Sequence, residues 1–196
     1  MPRAGINAER LTHAAAELAD EIGFDNITVS ALARRFGVRD ASLYAHIRNA
    51  QDLRERVALL ALAELADQVA EALAGRAGKQ ALVAFANTYR DYATRHPGRY
   101  AAGQLRLDPE TAAASAAGRH SAMTRAILRG YEVPESEQTH AVRLLASAFH
   151  GYVSLERTGG FDHSGDTQAS WTRLLDVLDV TLRNWPSGDG GELHGG

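Results

Sequence analysis

Residues 28–53, TVSALARRFGVRDASLYAHIRNAQDL, constrain the fold of this chain more than any other stretch. Val29, Leu32, Ala33 and Phe36 put apolar side chains on one face of a short helix, which Thr28 or Ser30 is placed to cap. Gly37 breaks that helix, because glycine takes the left-handed backbone of a tight turn without a Cβ penalty. Val38 is apolar and plugs the turn. A second helix is expected over about 39–45, turning Leu43 and Ile47 inward and showing Arg39, Ser42, Tyr44 and His46 on its other face. Two helices joined by a glycine turn, the second with a polar face, form a helix-turn-helix. Such a second helix fits the DNA major groove.

A net charge of −3 does not suit indiscriminate adhesion to nucleic acid. The distribution is more informative. Residues 28–48 hold Arg34, Arg35, Arg39 and Arg48 against Asp40 alone, whereas the preceding helix holds Glu9, Glu17, Asp20 and Glu21. Positive charge is therefore concentrated where the motif would meet phosphates, and a dimer doubles it. Lys79 is the only lysine, and the arginine and alanine bias points to a GC-rich bacterial genome.

The chain is 45% hydrophobic, mostly alanine and leucine with few β-branched runs, so the expected fold class is all-α. Leu11, Ala15, Leu18 and Ile22 form one stripe of a first helix over 7–22, with Asn7 as cap and Gly23 as stop. A long helix over 50–73 changes its apolar face, from Leu53, Val57 and Leu60 to Leu62, Leu65, Val69 and Leu73, as a link between two domains would. The next helix, over 79–95, is expected to stop at His96-Pro97-Gly98, with a connecting piece over 100–107. Asp108-Pro109 starts a helix expected to run unbroken to about 128. Pro134 opens an apolar helix over 135–157, closed by Thr158-Gly159-Gly160, and a last helix covers 167–184. The glycine-rich end, 186–196, reads as disordered. The expected domains are a helix-turn-helix domain over 1–52 and a ligand-binding and dimerisation domain over 53–185. Without cysteine, a signal-peptide core or an apolar run of about 18 residues, the chain reads as a cytoplasmic protein with no membrane partner and no disulfide.

Three segments carry a resemblance to the TetR/AcrR family of transcriptional repressors. They are Thr28-Val29-Ser30-Ala31-Leu32-Ala33, the turn Gly37-Val38, and Ser42-Leu43-Tyr44-Ala45-His46-Ile47, in matching order and spacing within residues 8–55. Where that family commonly has a lysine before the next helix, this chain has Ala50, so the phosphate contact expected there is absent or passes to Arg48. In the C-terminal half, Phe149-His150-Gly151 resembles the Trp-His-Gly motif of one branch, with phenylalanine in place of tryptophan, and residues 88–100 resemble the helix end of that branch. The resemblance implies a dimer on a near-palindromic double-stranded DNA operator, released by a small-molecule effector.

Arg39, at the start of the recognition helix, is placed for a bidentate contact to guanine. Ser42 is small enough for a base or phosphate contact, the resemblance sends Tyr44 and His46 to phosphates, and Thr28 can donate to one beside its helix N-terminus. Arg35 and Arg48 complete the expected DNA-binding set. For Arg34 and Arg35 a second reading stands beside phosphate binding, the favourable position of arginine at a helix C-terminus.

The implied effector pocket has Phe85, Tyr89, Tyr92, Met123, Phe149, His150 and Tyr152 as candidates, although an aromatic stripe at helical spacing also reads as plain core. The helix over 135–157 is apolar on two faces, one with Val142, Leu145, Phe149 and Val153, the other with Leu144, Ala148 and Leu155. The first face, with Trp171, Leu174, Leu178 and Leu182 of the last helix, is the expected dimer interface, the alternative being that both helices complete the protomer's own core. A two-fold dimer is what reading two half-sites about 34–36 Å apart requires. No nucleophile motif, phosphate loop or metalloprotease pattern occurs, so neither enzymatic activity nor a cofactor is expected. Asp162, His163 and Asp166 read better as a polar loop than as a metal site. Two alternatives stand beside the repressor: a helical small-molecule-binding or interaction protein without DNA binding, and a DNA-binding activator.

Overall fold

A computed structural model describes residues 6–163 and 165–186. The expected disordered tail lies, from residue 187 onward, outside the described residues. Among the described residues there are nine α-helices and no strand. They are α1 (Ala8–Ile22), α2 (Val29–Phe36), α3 (Ala50–Leu73), α4 (Gly78–Arg95), α5 (Pro97–Ala102), α6 (Pro109–Ala114), α7 (Ala117–Gly130), α8 (Gln138–Arg157) and α9 (Thr167–Arg183).

Local hydrogen bonds set the helix starts. Asn7 Oδ1 accepts from the Arg10 N–H at 2.8 Å, and Thr28 Oγ1 from the Ala31 N–H at 3.0 Å. Asp108 Oδ1 caps α6 through the Thr111 N–H at 3.0 Å, and Asp166 Oδ1 caps α9 through the Ala169 N–H at 3.0 Å. Each satisfies an amide that the first helical turn leaves unpaired. Gly37 ends α2 at φ 66°, in the left-handed region.

Three expectations are corrected. The recognition helix over 39–45 is a tighter object: a 3-10 turn, Asp40–Ser42, prolonged by the Leu43 carbonyl accepting from the His46 and Ile47 amides at 2.8 and 3.1 Å. The stop at Pro97 is also a start, because proline at the first helical position loses no hydrogen bond, and α5 occupies part of the expected connecting piece. The helix from Pro109 is broken at Ser115, whose backbone is extended. Its Oγ donates to the Ala112 carbonyl at 2.7 Å and accepts from the Ala117 N–H at 3.1 Å, substituting for the helical ladder.

Packing divides the chain into two compact units. The first comprises residues 1–71 and 88–120, the second 72–87 and 121–196, so the divisions fall inside α3, α4 and α7. This differs from a cut at 52/53: most of α3, with α5 and α6, packs with the N-terminal helices. Leu11, Leu32, Leu43, Ile47, Leu53 and Val57 form the heart of the first core. Beside it α5 crosses α1 at very close range. A Cβ on Gly98 would overlap the carbonyl oxygen and carbon of Ala19, so only glycine fits there.

In the second unit, Leu145, Phe149 and Val153 of α8 meet Trp171, Leu178 and Leu182 of α9, each at most 4% exposed. Phe149 lies 5.9 Å from Trp171 and 6.2 Å from Phe85 between ring centres, and Trp171 Nε1 donates to Asn87 Oδ1 at 2.8 Å. This is the ordinary core of a helical bundle, with its one buried indole N–H satisfied.

Gly98→Ala should lower stability by at least about 1–3 kcal/mol, the usual cost of overpacking, because the obstacle is backbone and cannot rotate aside. Urea denaturation followed by circular dichroism measures this.

Candidate functional site

The helix-turn-helix face is built on buried anchors. Leu43 and Ile47 are 0% and 2% exposed and pin the recognition segment to the core. Arg39, Ser42 and Tyr44 point to solvent on the same segment, and Tyr44 is 53% exposed, unusually open for an aromatic. His46 is half-buried, and its carbonyl accepts from Arg56 Nη1 at 3.0 Å. The Asp40 carboxylate accepts from the Ser30 hydroxyl, which ties it back to α2. Thr28 is exposed at the N-terminus of α2, so its capping hydroxyl still has a proton to donate outward.

The arginines of this region divide into two kinds. Arg34 and Arg39 are exposed, and their side chains form no hydrogen bond or ion pair among the described residues. Arg35, expected at phosphate, instead clamps α2 to α1, with Nη2 2.9 Å from Glu17 and Nη1 2.7 Å from Glu21. Two carboxylates already match its charge, so any phosphate has to compete with them. Arg48 is 79% exposed on its side chain but is held by Asp52, at 3.1 Å.

Asp52 holds the join between the recognition segment and α3. Its carboxylate accepts from the Arg48 N–H at 3.0 Å and pairs with Arg56 at 2.9 Å. Burial alone would raise its pKa. The Arg48 amide and the two guanidinium groups outweigh that and hold the carboxyl below its ordinary value.

The first unit also encloses a cavity of about 250 Å³. Ala61, Leu62 and Leu65 of α3 face Tyr89 and Tyr92 of α4 across it. Arg99 and Tyr100 of α5, then Gly103 and Gln104, close one side, and Ala117 and His120 of α7 another. Burial pushes the His120 pKa below its ordinary value. Its Nε2–H donates to the Leu62 carbonyl at 2.9 Å, which leaves Nδ1 to accept from the Tyr89 hydroxyl at 2.8 Å. The Tyr92 hydroxyl donates to Glu64 Oε2 at 3.0 Å. Burial, reinforced by that carboxylate, holds the phenol pKa well above its ordinary value.

Of the seven effector candidates, Tyr89 and Tyr92 line this cavity. Phe85 and Phe149 are buried in the second core, and Tyr152 stacks on Trp171 at 5.0 Å and on Phe161 at 4.9 Å. Met123 is half-buried and outside the cavity lining, and His150 points to solvent. The lining from α5 and α7, above all Arg99, Tyr100 and His120, was not anticipated. His96-Pro97-Gly98 read as a stop hid a helix start, and no periodicity marks these residues as neighbours.

The expected dimer face is corrected too. Leu145, Phe149, Val153, Trp171, Leu178 and Leu182 are buried within the protomer, with Val142 and Leu174 half-buried. The apolar side chains left open on these helices are Leu144 and Leu155 of α8, and Val177 and Val180 of α9, between 38% and 58% exposed.

Residues 11–57 match the family model for bacterial regulatory proteins of the tetR family, and residues 82–178 match that for the tetracyclin repressor-like C-terminal domain. An uncharacterized HTH-type transcriptional regulator of Mycobacterium tuberculosis is 34% identical over 98% of this chain and 86% of its own length. A second, YobS of Bacillus subtilis, is 30% identical over 95% of this chain and 94% of its own. The chain belongs to the TetR family. It is a DNA-binding transcriptional regulator of the helix-turn-helix type. Its fold matches a variant TetR of Acinetobacter baumannii in complex with minocycline, at a TM-score of 0.68 and 20% identity, over 92% of this chain and 98% of that one. Among the described residues no helix is long and apolar enough to cross a membrane, and no cluster of three or more metal-ligating side chains occurs.

In this TetR-family regulator Asp52→Asn should cost about 1–3 kcal/mol of stability, since it puts an NH2 donor where an oxygen accepted from the Arg48 and Arg56 donors. Asp52 has a lowered folded pKa, so its contribution is fully present above the ordinary carboxylate value and is lost as pH falls through the folded one. The stability gap between wild type and variant should therefore close below about pH 4. Urea titrations across pH 2.5–7 measure it, as an order-of-magnitude range about that value.

Proposed function

We propose that this regulator is a dimeric repressor that binds a near-palindromic operator and is released by a small-molecule effector. The observation that carries the reading is the recognition segment itself, with Leu43 and Ile47 locked inside while Arg39, Ser42 and Tyr44 face outward. Arg39 reads a base edge, and Thr28, Ser42, Tyr44, His46 and Arg48 position the segment on phosphates. Arg34, whose side chain is exposed and unpaired among the described residues, adds a phosphate contact beside them. Residues 1–52 act as the DNA-binding part and 53–185 as the sensing and dimerising part.

The dimer forms through the outer faces of α8 and α9, where Leu144, Leu155, Val177 and Val180 leave apolar surface in water. The cavity and the minocycline complex of the Acinetobacter TetR support an effector, with Tyr89 and Tyr92 among its contacts. Phe149-His150-Gly151 supports membership of the C-terminal half in the Trp-His-Gly branch. The protein is non-enzymatic, needs no cofactor and works in the cytoplasm. An effector weakens operator binding only as far as it prefers the non-binding conformation.

Selection from fragmented genomic DNA at a stated salt concentration should enrich one palindromic site. Arg39→Ala should lose about 1–3 kcal/mol of discrimination at one base pair of each half-site. No enrichment by folded wild-type protein would sink the repressor reading and favour a sensor that acts through another partner. For the dimer, Leu155→Asp with Val177→Asp should give a folded monomer in sedimentation experiments, whereas a persistent dimer would place the interface elsewhere.

A further inference from the structure

The wall of the cavity and the brace of the DNA-binding helices are one element. α5 packs against α1 through Gly98, which has no room for a Cβ beside the Ala19 carbonyl. The next residue, Arg99, faces the cavity and is tied to α1 as well. Its N–H donates to Asp20 Oδ1 at 2.9 Å, and its Nε lies 3.1 Å from Asp20 Oδ2, though out of line for a hydrogen bond. Nη1 of Arg99 reaches Glu64 of α3 at 3.2 Å, and Glu64 in turn holds the Tyr92 hydroxyl. Asp20, Arg99, Glu64 and Tyr92 thus run without a gap from α1 to the cavity floor. A six-residue helix held to α1 by backbone contact cannot be pushed outward while α1 stays in place.

The same network selects the ligand. Two carboxylates already surround Arg99, so the cavity offers an organic anion no unmatched cation and sets Glu64 against it. Both ring nitrogens of His120 are engaged. What remains is leucine and alanine surface, the faces of Tyr89, Tyr92 and Tyr100, and the uncharged Gly103 and Gln104. The volume of about 250 Å³ lies between the ~150 Å³ that holds benzene and the ~300–1,000 Å³ of drug-sized sites.

We propose that this cavity binds an uncharged aromatic molecule of one or two rings, and that α5 passes its occupancy to α1 through the Gly98–Ala19 contact and the Arg99–Asp20 pair. The second half rests on the effector-released reading above; the first does not.

Calorimetric titration of the full chain with naphthol and naphthoate tests the ligand class. Naphthol should bind at least about tenfold more tightly than naphthoate, a difference expected from an unpaired charge facing Glu64. Ala117→Phe, which fills the cavity, should abolish the heat. Equal or tighter binding of naphthoate, no binding of either, or binding that survives Ala117→Phe would overturn the assignment.

The readout needs no ligand. Ala117→Phe, as a built-in occupant, should lower operator affinity about tenfold, within the usual range of allosteric coupling. In an Asp20→Asn background the same substitution should change affinity by no more than about threefold, a coupling that a double-mutant cycle resolves. An undiminished effect in that background, or none in the wild-type background, would overturn the relay. If circular dichroism shows that Ala117→Phe does not fold, Leu62→Phe replaces it in both arms. If wild-type protein selects no operator, the repressor reading fails while calorimetry still decides the ligand.

Discussion

Gly98 against the backbone of Ala19 is the contact on which the first unit depends. It brings α5 so close to α1 that Asp20 can accept from the Arg99 amide and lie beside its guanidinium, although the two are 79 residues apart in sequence. With α5 held there, Arg99 and Tyr100 face α3 and α4, and the space left between them is the cavity. A larger residue at position 98 would separate the helices, pull Asp20 from Arg99 and open that wall together. Close packing, rather than any single hydrogen bond, couples these features.

The DNA-facing segment is arranged on the same economy of partners. Arg35 is spent on Glu17 and Glu21, and Arg56 on Asp52 and the His46 carbonyl. Arg54 bridges Asp25 at 2.8 Å and covers the Phe24 ring at 4.4 Å. These pairs hold α1, α2 and α3 around a short recognition turn that has little helical ladder of its own. Exposed pairs are individually weak. Their effect is to leave the Arg34 and Arg39 side chains unpaired among the described residues.

Much of the local structure was legible in the sequence. Asn7, Thr28 and Asp108 act as caps, Gly23 and Gly37 end their helices, and α3 spans 50–73 as its pattern implied. The misses share a cause. Ser115 breaks a helix through side-chain bonds that compete with the backbone, a choice that alanine-rich propensity conceals. The recognition segment is a tight turn because Leu43 and Ile47 must reach the core within a few residues of Gly37. α8 has two apolar faces, and the pattern could not say which one its own protomer covers.

The caps of α1, α2 and α6, the span of α3 and the order of the helix-turn-helix were determined by the sequence alone, because each depends on residues within a few positions of one another. The tertiary structure decided which arginines are ion-paired, which face of α8 is core, and where the cavity lies. Those outcomes depend on partners such as Asp20 with Arg99, Glu17 with Arg35, and Phe149 with Trp171, and packing alone chooses among the many partners that a linear pattern allows.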